Sequence, residues 1–319
     1  MMRLPFAVLL LSLAAPPAWA RSYDVSLSRL RETPADEAKY RGVAREMGLV
    51  LAPLHIGPAR TTGHSGFEFT LRMSSHNIHQ TRPYWTDLTL GGVMDLDGGT
   101  NAPDTLTTTT IEVRKGLPFG LELGTNLSWL ENSETLALGG RLRIGLLEGY
   151  QDSYAPDVSV YAAVNRMLGS SELDLTTLAA GATLSYRQSI SGVMSVSPFF
   201  GFDFILVQAG SSLLADPKYE EALAAGCPDG GAQGDTCPGQ WEDPSNPDNL
   251  TPACYECPQQ WIVFDSLDLD DADNQWSRIR YGLRIETILM AITLQHDVPI
   301  GESQRPDQHA ISVGLSAHF

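Results

Sequence analysis

Five side chains in three short stretches have the types and spacing for acid–base chemistry. His76 and His79 close a run that starts at Gly66, His296 and Asp297 are adjacent, and His309 comes just before the last ten residues. Histidine titrates near neutral pH, and a carboxylate beside it fixes its tautomer, which is how many hydrolytic sites obtain a general base. His76, His296, Asp297 and His309 are thus the candidate catalytic set. No serine elbow or paired-aspartate motif accompanies them. The plainer reading is a group of histidines that only hydrogen-bond.

Two further clusters lie in one segment. Cys227, Cys237, Cys254 and Cys257 read first as two disulfides, with the pairing open, and second as a four-thiolate zinc site. Asp265, Asp268, Asp270, Asp271 and Asp273 offer hard oxygen ligands to calcium or magnesium. They lack the spaced glycine and terminal glutamate of an EF-hand loop, so a solvated acidic loop is the plainer reading. The stretch from Ser211 to Gln275 holds fourteen acidic residues against one basic residue, Lys218. It carries most of the net charge of −17, a balance that excludes nucleic acid as a partner. No cofactor is implied beyond a divalent cation on the aspartates.

The elements that must hold these residues alternate with a period of two. Gly66–Asn77 sets Phe67, Phe69, Leu71 and Met73 against Glu68, Thr70, Arg72, Ser74 and His76. Similar stretches recur at 106–115, 119–130, 135–147, 157–167, 175–187, 198–208, 277–286, 287–296 and 310–319, making ten strands. Alternation alone also fits a soluble sandwich. The polar parity decides the matter. It carries Glu68, Arg72, Glu112, Arg114, Glu122, Arg141, Arg143, Arg187, Asp203, Arg278, Arg280, Arg284 and Glu286 among Gly, Ser and Thr. Long arginines beside small residues suit a narrow lumen filled from its walls, with the apolar parity facing lipid. Eight positive and five negative charges would make any open pore anion-preferring. Arg–Glu pairing is expected to plug it, because unpaired enclosed charge is costly.

Residues 1–20 have a basic start at Arg3, an apolar run from Phe6 to Ala15 and an Ala18-Trp19-Ala20 site, the pattern of a cleaved signal peptide. No later run is long and apolar enough for a membrane helix. The fold expected is all-β, an antiparallel up-and-down transmembrane barrel of about ten strands. The joins fit it: 116–118, 148–156, 188–197 and 286–287 are short, whereas 78–105 and 209–276 are long. Residues 131–134 are a short join on the long-loop side. The domain reading is 1–20 signal peptide, 21–65 periplasmic N-terminal segment, and 66–319 barrel with an acidic cysteine-containing surface loop at 209–276. Within the lead, a helix is expected from Thr33-Pro34 through Arg45, and the apolar 49–59 stretch, broken by Pro53 and Pro58, is expected to pack under or into the barrel mouth.

With its signal peptide, alternating strands and a last strand that ends on Phe319 in step with Val313 and Leu315, the chain resembles bacterial outer-membrane β-barrel proteins as a class. The resemblance implies an outer-membrane location, lipid and lipopolysaccharide as surroundings, and Phe319 as the signal read by the barrel-assembly machinery. It carries no catalytic residues over. Three roles follow as expectations: a structural or surface-binding barrel, a narrow channel for small or apolar solutes, and a hydrolase using the histidine rim.

Overall fold

The computed structural model describes residues 23–27, 34–89, 104–148, 155–170, 172–190, 193–211, 274–300 and 308–319. The wall is built from β1 (Phe67–Asn77), β2 (Thr105–Gly116), β3 (Leu121–Leu130), β4 (Leu136–Leu147), β5 (Asp157–Leu168), β6 (Asp174–Ser185), β7 (Gln188–Ile190), β8 (Met194–Gly210), β9 (Gln275–Glu286), β10 (Met290–Ile300) and β11 (Ala310–His318). Each pairs antiparallel with its neighbours, and β11 closes onto β1 with Leu71 opposite Leu315. β6 and β7 form one wall strand, since Ser185 opposite Phe199 and Gln188 opposite Val196 share one register. The interruption at Tyr186–Arg187 faces Pro198, which has no N–H to give to the ladder. The result is a closed barrel of ten wall strands.

The side-chain period does the rest. Along β1 burial alternates at every residue: Leu71 is 42% and Met73 51% exposed, whereas Thr70 is 1% and Arg72 4% exposed. The same holds around the wall, with Leu138, Ile292 and Leu294 outward and Arg143, Arg280 and Thr293 enclosed. A continuous apolar exterior around a charged interior inverts the soluble arrangement and is stable only with hydrocarbon outside.

Several placements differ from the sequence reading. The strand expected from Phe119 begins at Leu121, because Phe119 sits in a 3₁₀ turn with φ 65°. The strand expected over 287–296 runs from Met290 to Ile300, after a turn in which Thr287 N donates to Met290 O at 2.7 Å. Pro299 suggests an earlier stop, yet it is accommodated opposite Arg278. Arg187 is not enclosed: at the strand interruption its side chain is 40% exposed and reaches Glu286, 3.4 Å away at the barrel mouth.

The largest difference concerns the lead. The sequence reading makes 21–65 a periplasmic segment with its 49–59 stretch under or in the barrel mouth. Instead α1 (Pro34–Leu51) and the segment after it occupy the lumen. The helix runs one and a half turns past Arg45, and Tyr40, Val43, Ala44 and Met47 are wholly buried. With α2 (Pro83–Leu88) it packs against Leu106, Leu130, Leu175, Val207 and Trp276, which are the lumen-facing residues nearest the long-loop end. A Cβ on Gly48 would lie 2.5 Å from Val207 Cγ1, so glycine lets the helix approach the wall. The lumen therefore has two layers, apolar at the long-loop end and charged below.

Candidate functional site: the charged lumen and its plug

In the charged layer the wall strands aim long side chains at a common axis, and lumen-facing glycines make room for them. A Cβ on Gly201 would collide with the Arg280 guanidinium. Arg278 Nη2 donates to Asp203 Oδ2 at 2.8 Å and Arg280 Nη1 to Asp203 Oδ1 at 2.5 Å. Arg280 also stacks 4.9 Å over the Tyr161 ring. Arg143 Nη2 pairs with Glu122 at 2.7 Å, Arg284 Nη2 with Glu68 at 3.0 Å, Arg141 with Glu112 and Arg114 with Glu68. Charges sharing a low-dielectric enclosure must pair in this way.

The arginines do a second thing that the strand pattern does not foretell: they hold a strip of backbone. Residues 51–62 run along the lumen axis, where their carbonyls have no strand partner and would otherwise be left unbonded. Leu51 O accepts from Asn165 Nδ2 at 2.8 Å, Pro53 O from Arg278 Nη2 at 3.1 Å and Leu54 O from Arg72 Nη1 at 2.7 Å. Arg143 donates to Pro58 O at 3.0 Å and Arg60 O at 2.8 Å. In the other sense, Thr62 N donates to Glu122 Oε2 at 2.8 Å and Ala59 N to Ser185 Oγ at 3.0 Å. Pro53 and Pro58 add no N–H needing a partner, which suits a segment ringed by donors.

His55 sits at the centre of this clamp, fully buried. Its Nδ1 lies 3.1 Å from Arg141 Nη1 and its Nε2 3.2 Å from Arg143 Nη1, with the Tyr161 ring centroid 5.3 Å away. The imidazole is a wedge between the two cations.

The four residues of the candidate catalytic set do not converge. His76 and Asp297 point into the lumen: His76 Nε2 lies 3.4 Å from Thr108 Oγ1, and Asp297 Oδ1 lies 3.7 Å from Arg278 Nε and accepts from Gln295 Nε2 at 3.0 Å. His296 and His309 are on the outer face, rings 5.2 Å apart, with Tyr281 OH 2.7 Å from His296 Nδ1. The barrel wall stands between the two pairs, because His296 and Asp297 are successive strand residues and face opposite sides. His79 Nδ1 bonds Glu46 Oε1 of α1 at 2.9 Å. His296 is thus cut off from the Asp297 carboxylate.

The remaining candidates are placed as follows. Glu68, Arg72, Glu112, Arg114, Glu122, Arg141, Arg143, Asp203, Arg278, Arg280 and Arg284 are all enclosed. Asp157 and Asp297 are enclosed as well, which among the described wall residues makes seven arginines against six carboxylates, with Glu46 of α1 a further enclosed carboxylate, and leaves less positive excess than the sequence count. Arg72 has its hydrogen bonds to Leu54 O and to Thr110 Oγ1, the latter 3.1 Å away. Phe319 is 80% exposed at the short-turn end, its N donating to Phe67 O at 2.9 Å. The signal peptide, the four cysteines and the five aspartates of 265–273 lie outside the described residues.

The sequence reading put 49–59 under or in the barrel mouth but missed that Pro53–Thr62 fills the charged layer, and it missed the hub Glu46. A signal for them exists. The lumen parity turns apolar at one end of most strands, at Leu106, Leu130, Ala137, Met167, Leu175, Val207 and Trp276, and such a ring needs an apolar partner inside.

A closed antiparallel wall, apolar outside and charged inside, with its two longest loops at the same end, defines a transmembrane β-barrel of the bacterial outer membrane. No protein-family model and no curated protein matches the chain. Among solved structures it is similar to a KdgM porin, at 7% identity over 79% of this chain and 99% of that one, with a TM-score of 0.28. It is similar to an outer membrane channel from Pseudomonas putida F1 at 9% identity over 84% and 100%, TM-score 0.33. The Acinetobacter baumannii outer membrane protein Omp33 aligns at 9% identity over 81% and 99%, TM-score 0.26. At such scores the class rests on the wall and lumen of the chain itself.

Proposed function

We propose that the protein is a closed outer-membrane barrel with a structural and surface-binding role, displaying its long loops and the acidic 209–276 segment to ions, lipopolysaccharide or other cells. The observation that supports this is the filled lumen. Among the described residues α1 occupies the apolar layer and Pro53–Thr62 the charged one, and the arginines that would line a pore spend their donors on the plug. Among the described residues a cavity of about 300 Å³ opens at the short-turn mouth, beside Arg60, Glu68 and Arg284, and one of about 540 Å³ at the long-loop end, beside Leu173 and Gly210. The rim-histidine hydrolase loses support from the separation of His296 from Asp297. Assembly machinery reading Phe319 fits the exposed terminal ring.

Planar-bilayer recording tests the reading. The purified full chain should give no stepwise current over the bare membrane. Resolved, repeated conductance steps would refute the closed barrel and favour the narrow-channel alternative.

A further inference from the structure

The path of the lead bears on which side of the membrane the N-terminus occupies. β1 begins at the short-turn end, where Phe67 N donates to Phe319 O at 3.1 Å, next to the β2–β3 turn. Read backwards from there, the chain climbs the lumen. Thr62 meets Glu122, Leu54 meets Arg72 near mid-strand, and Leu51 meets Asn165 above it. α1 then enters the apolar layer, and its Glu46 joins the long-loop side: Oε1 accepts from Tyr84 OH at 2.8 Å and Gln308 Nε2 at 2.5 Å, and Oε2 from Trp85 Nε1. Residues 23–27 complete the climb. Tyr23 N donates to Asn132 O at 3.1 Å in the β3–β4 turn, Ser26 N to Leu88 O at 2.8 Å, and Val25 bridges Thr89. Asp24 Oδ1 accepts from Ser133 Oγ at 2.7 Å and from Glu134 N at 2.8 Å.

Short turns of such barrels face the periplasm and long loops the exterior. We infer that the barrel carries its own N-terminal lead through its lumen and displays it on the cell surface, so that Tyr23 and whatever precedes it in the mature chain lie outside the cell. Three independent contact sets support one direction of travel: the plug rungs, the Glu46 hub and the 23–27 docking. The lead is thus a transmembrane segment without being a membrane helix, its backbone satisfied by the lumen wall where an isolated strand in lipid would not be. The function this adds is display: a peptide placed before Tyr23 is delivered to the exterior and tethered by a fixed stem.

The test uses the full chain in outer membranes of intact cells. An epitope is placed between Ser22 and Tyr23, and separately in the Thr287–Leu289 turn. The first should bind an impermeant antibody on intact cells with no gain on permeabilisation, and the second only after permeabilisation. An N-terminal epitope silent until permeabilisation overturns the inference, as does a 287–289 epitope seen on intact cells, which would mean an inverted barrel. The unmodified chain gives a second measurement free of folding artefacts. An impermeant amine reagent near neutral pH favours the α-amine over lysine. It should label the N-terminus on intact cells, and labelling confined to broken cells overturns the proposal. A conducting barrel with a surface N-terminus would sink the closed-lumen reading and leave this one standing.

Discussion

Arg143 is where wall and plug depend on each other most, and Arg143→Met removes its charge while keeping much of its stem. Four interactions go: the hydrogen bonds to Pro58 O and Arg60 O, at 3.0 and 2.8 Å, the 3.2 Å contact with His55 Nε2, and the 2.7 Å ion pair with Glu122. A hydrogen bond involving a charged group contributes about 1.5–3 kcal/mol, and stranding one partner of a buried pair costs about 3–5 kcal/mol. These are not additive, because Glu122 keeps Thr62 N at 2.8 Å and Arg114 Nη1 at 3.7 Å. The net expectation is a loss of about 3–5 kcal/mol. Reversible urea unfolding in lipid micelles measures it. The double variant Arg143→Met/Glu122→Gln should regain part of the loss, since the stranded carboxylate is gone. A loss under about 1 kcal/mol, or a double variant no more stable than the single one, would show that the plug is not held by this clamp.

His55→Lys should loosen the plug, because it would set a third positive charge between the Arg141 and Arg143 guanidiniums; a urea midpoint unchanged from the wild type would be evidence against the wedge. Gly48→Leu should dislodge α1 from Val207, seen as new protease cleavage within 34–51, because the added side chain has no space at a 2.5 Å approach.

Strand number, parity and which face meets lipid were legible because each depends on the two-residue period, which Phe67–Met73 and their partners state without exception. The enclosed arginines followed from the same parity. Strand ends were less legible. Pro198 and Pro299 read as boundaries but lie inside β8 and β10, where neighbouring strands tolerate the missing donor. That shift moved His296 and Asp297 from a rim into a wall, on opposite faces. The plug's depth was hidden for another reason: Leu54, His55 and Pro58 carry no local period, and their place is set by wall guanidiniums, Arg72 eighteen residues on from Leu54, and Arg141 and Arg143 eighty-five or more residues on. Long-range hydrogen bonds to backbone leave little trace in the sequence of the segment that accepts them.

The central claim is that lipid covers one parity of the wall while the other is sealed inside. Spin labels placed singly along β1 test it, in reconstituted membranes and in a background with the four cysteines replaced by serine. Labels at 69, 71 and 73 should relax strongly with oxygen and weakly with a water-soluble nickel complex, and labels at 70 and 74 should respond little to either. Uniform access of the nickel complex, or the opposite parity, would contradict the account.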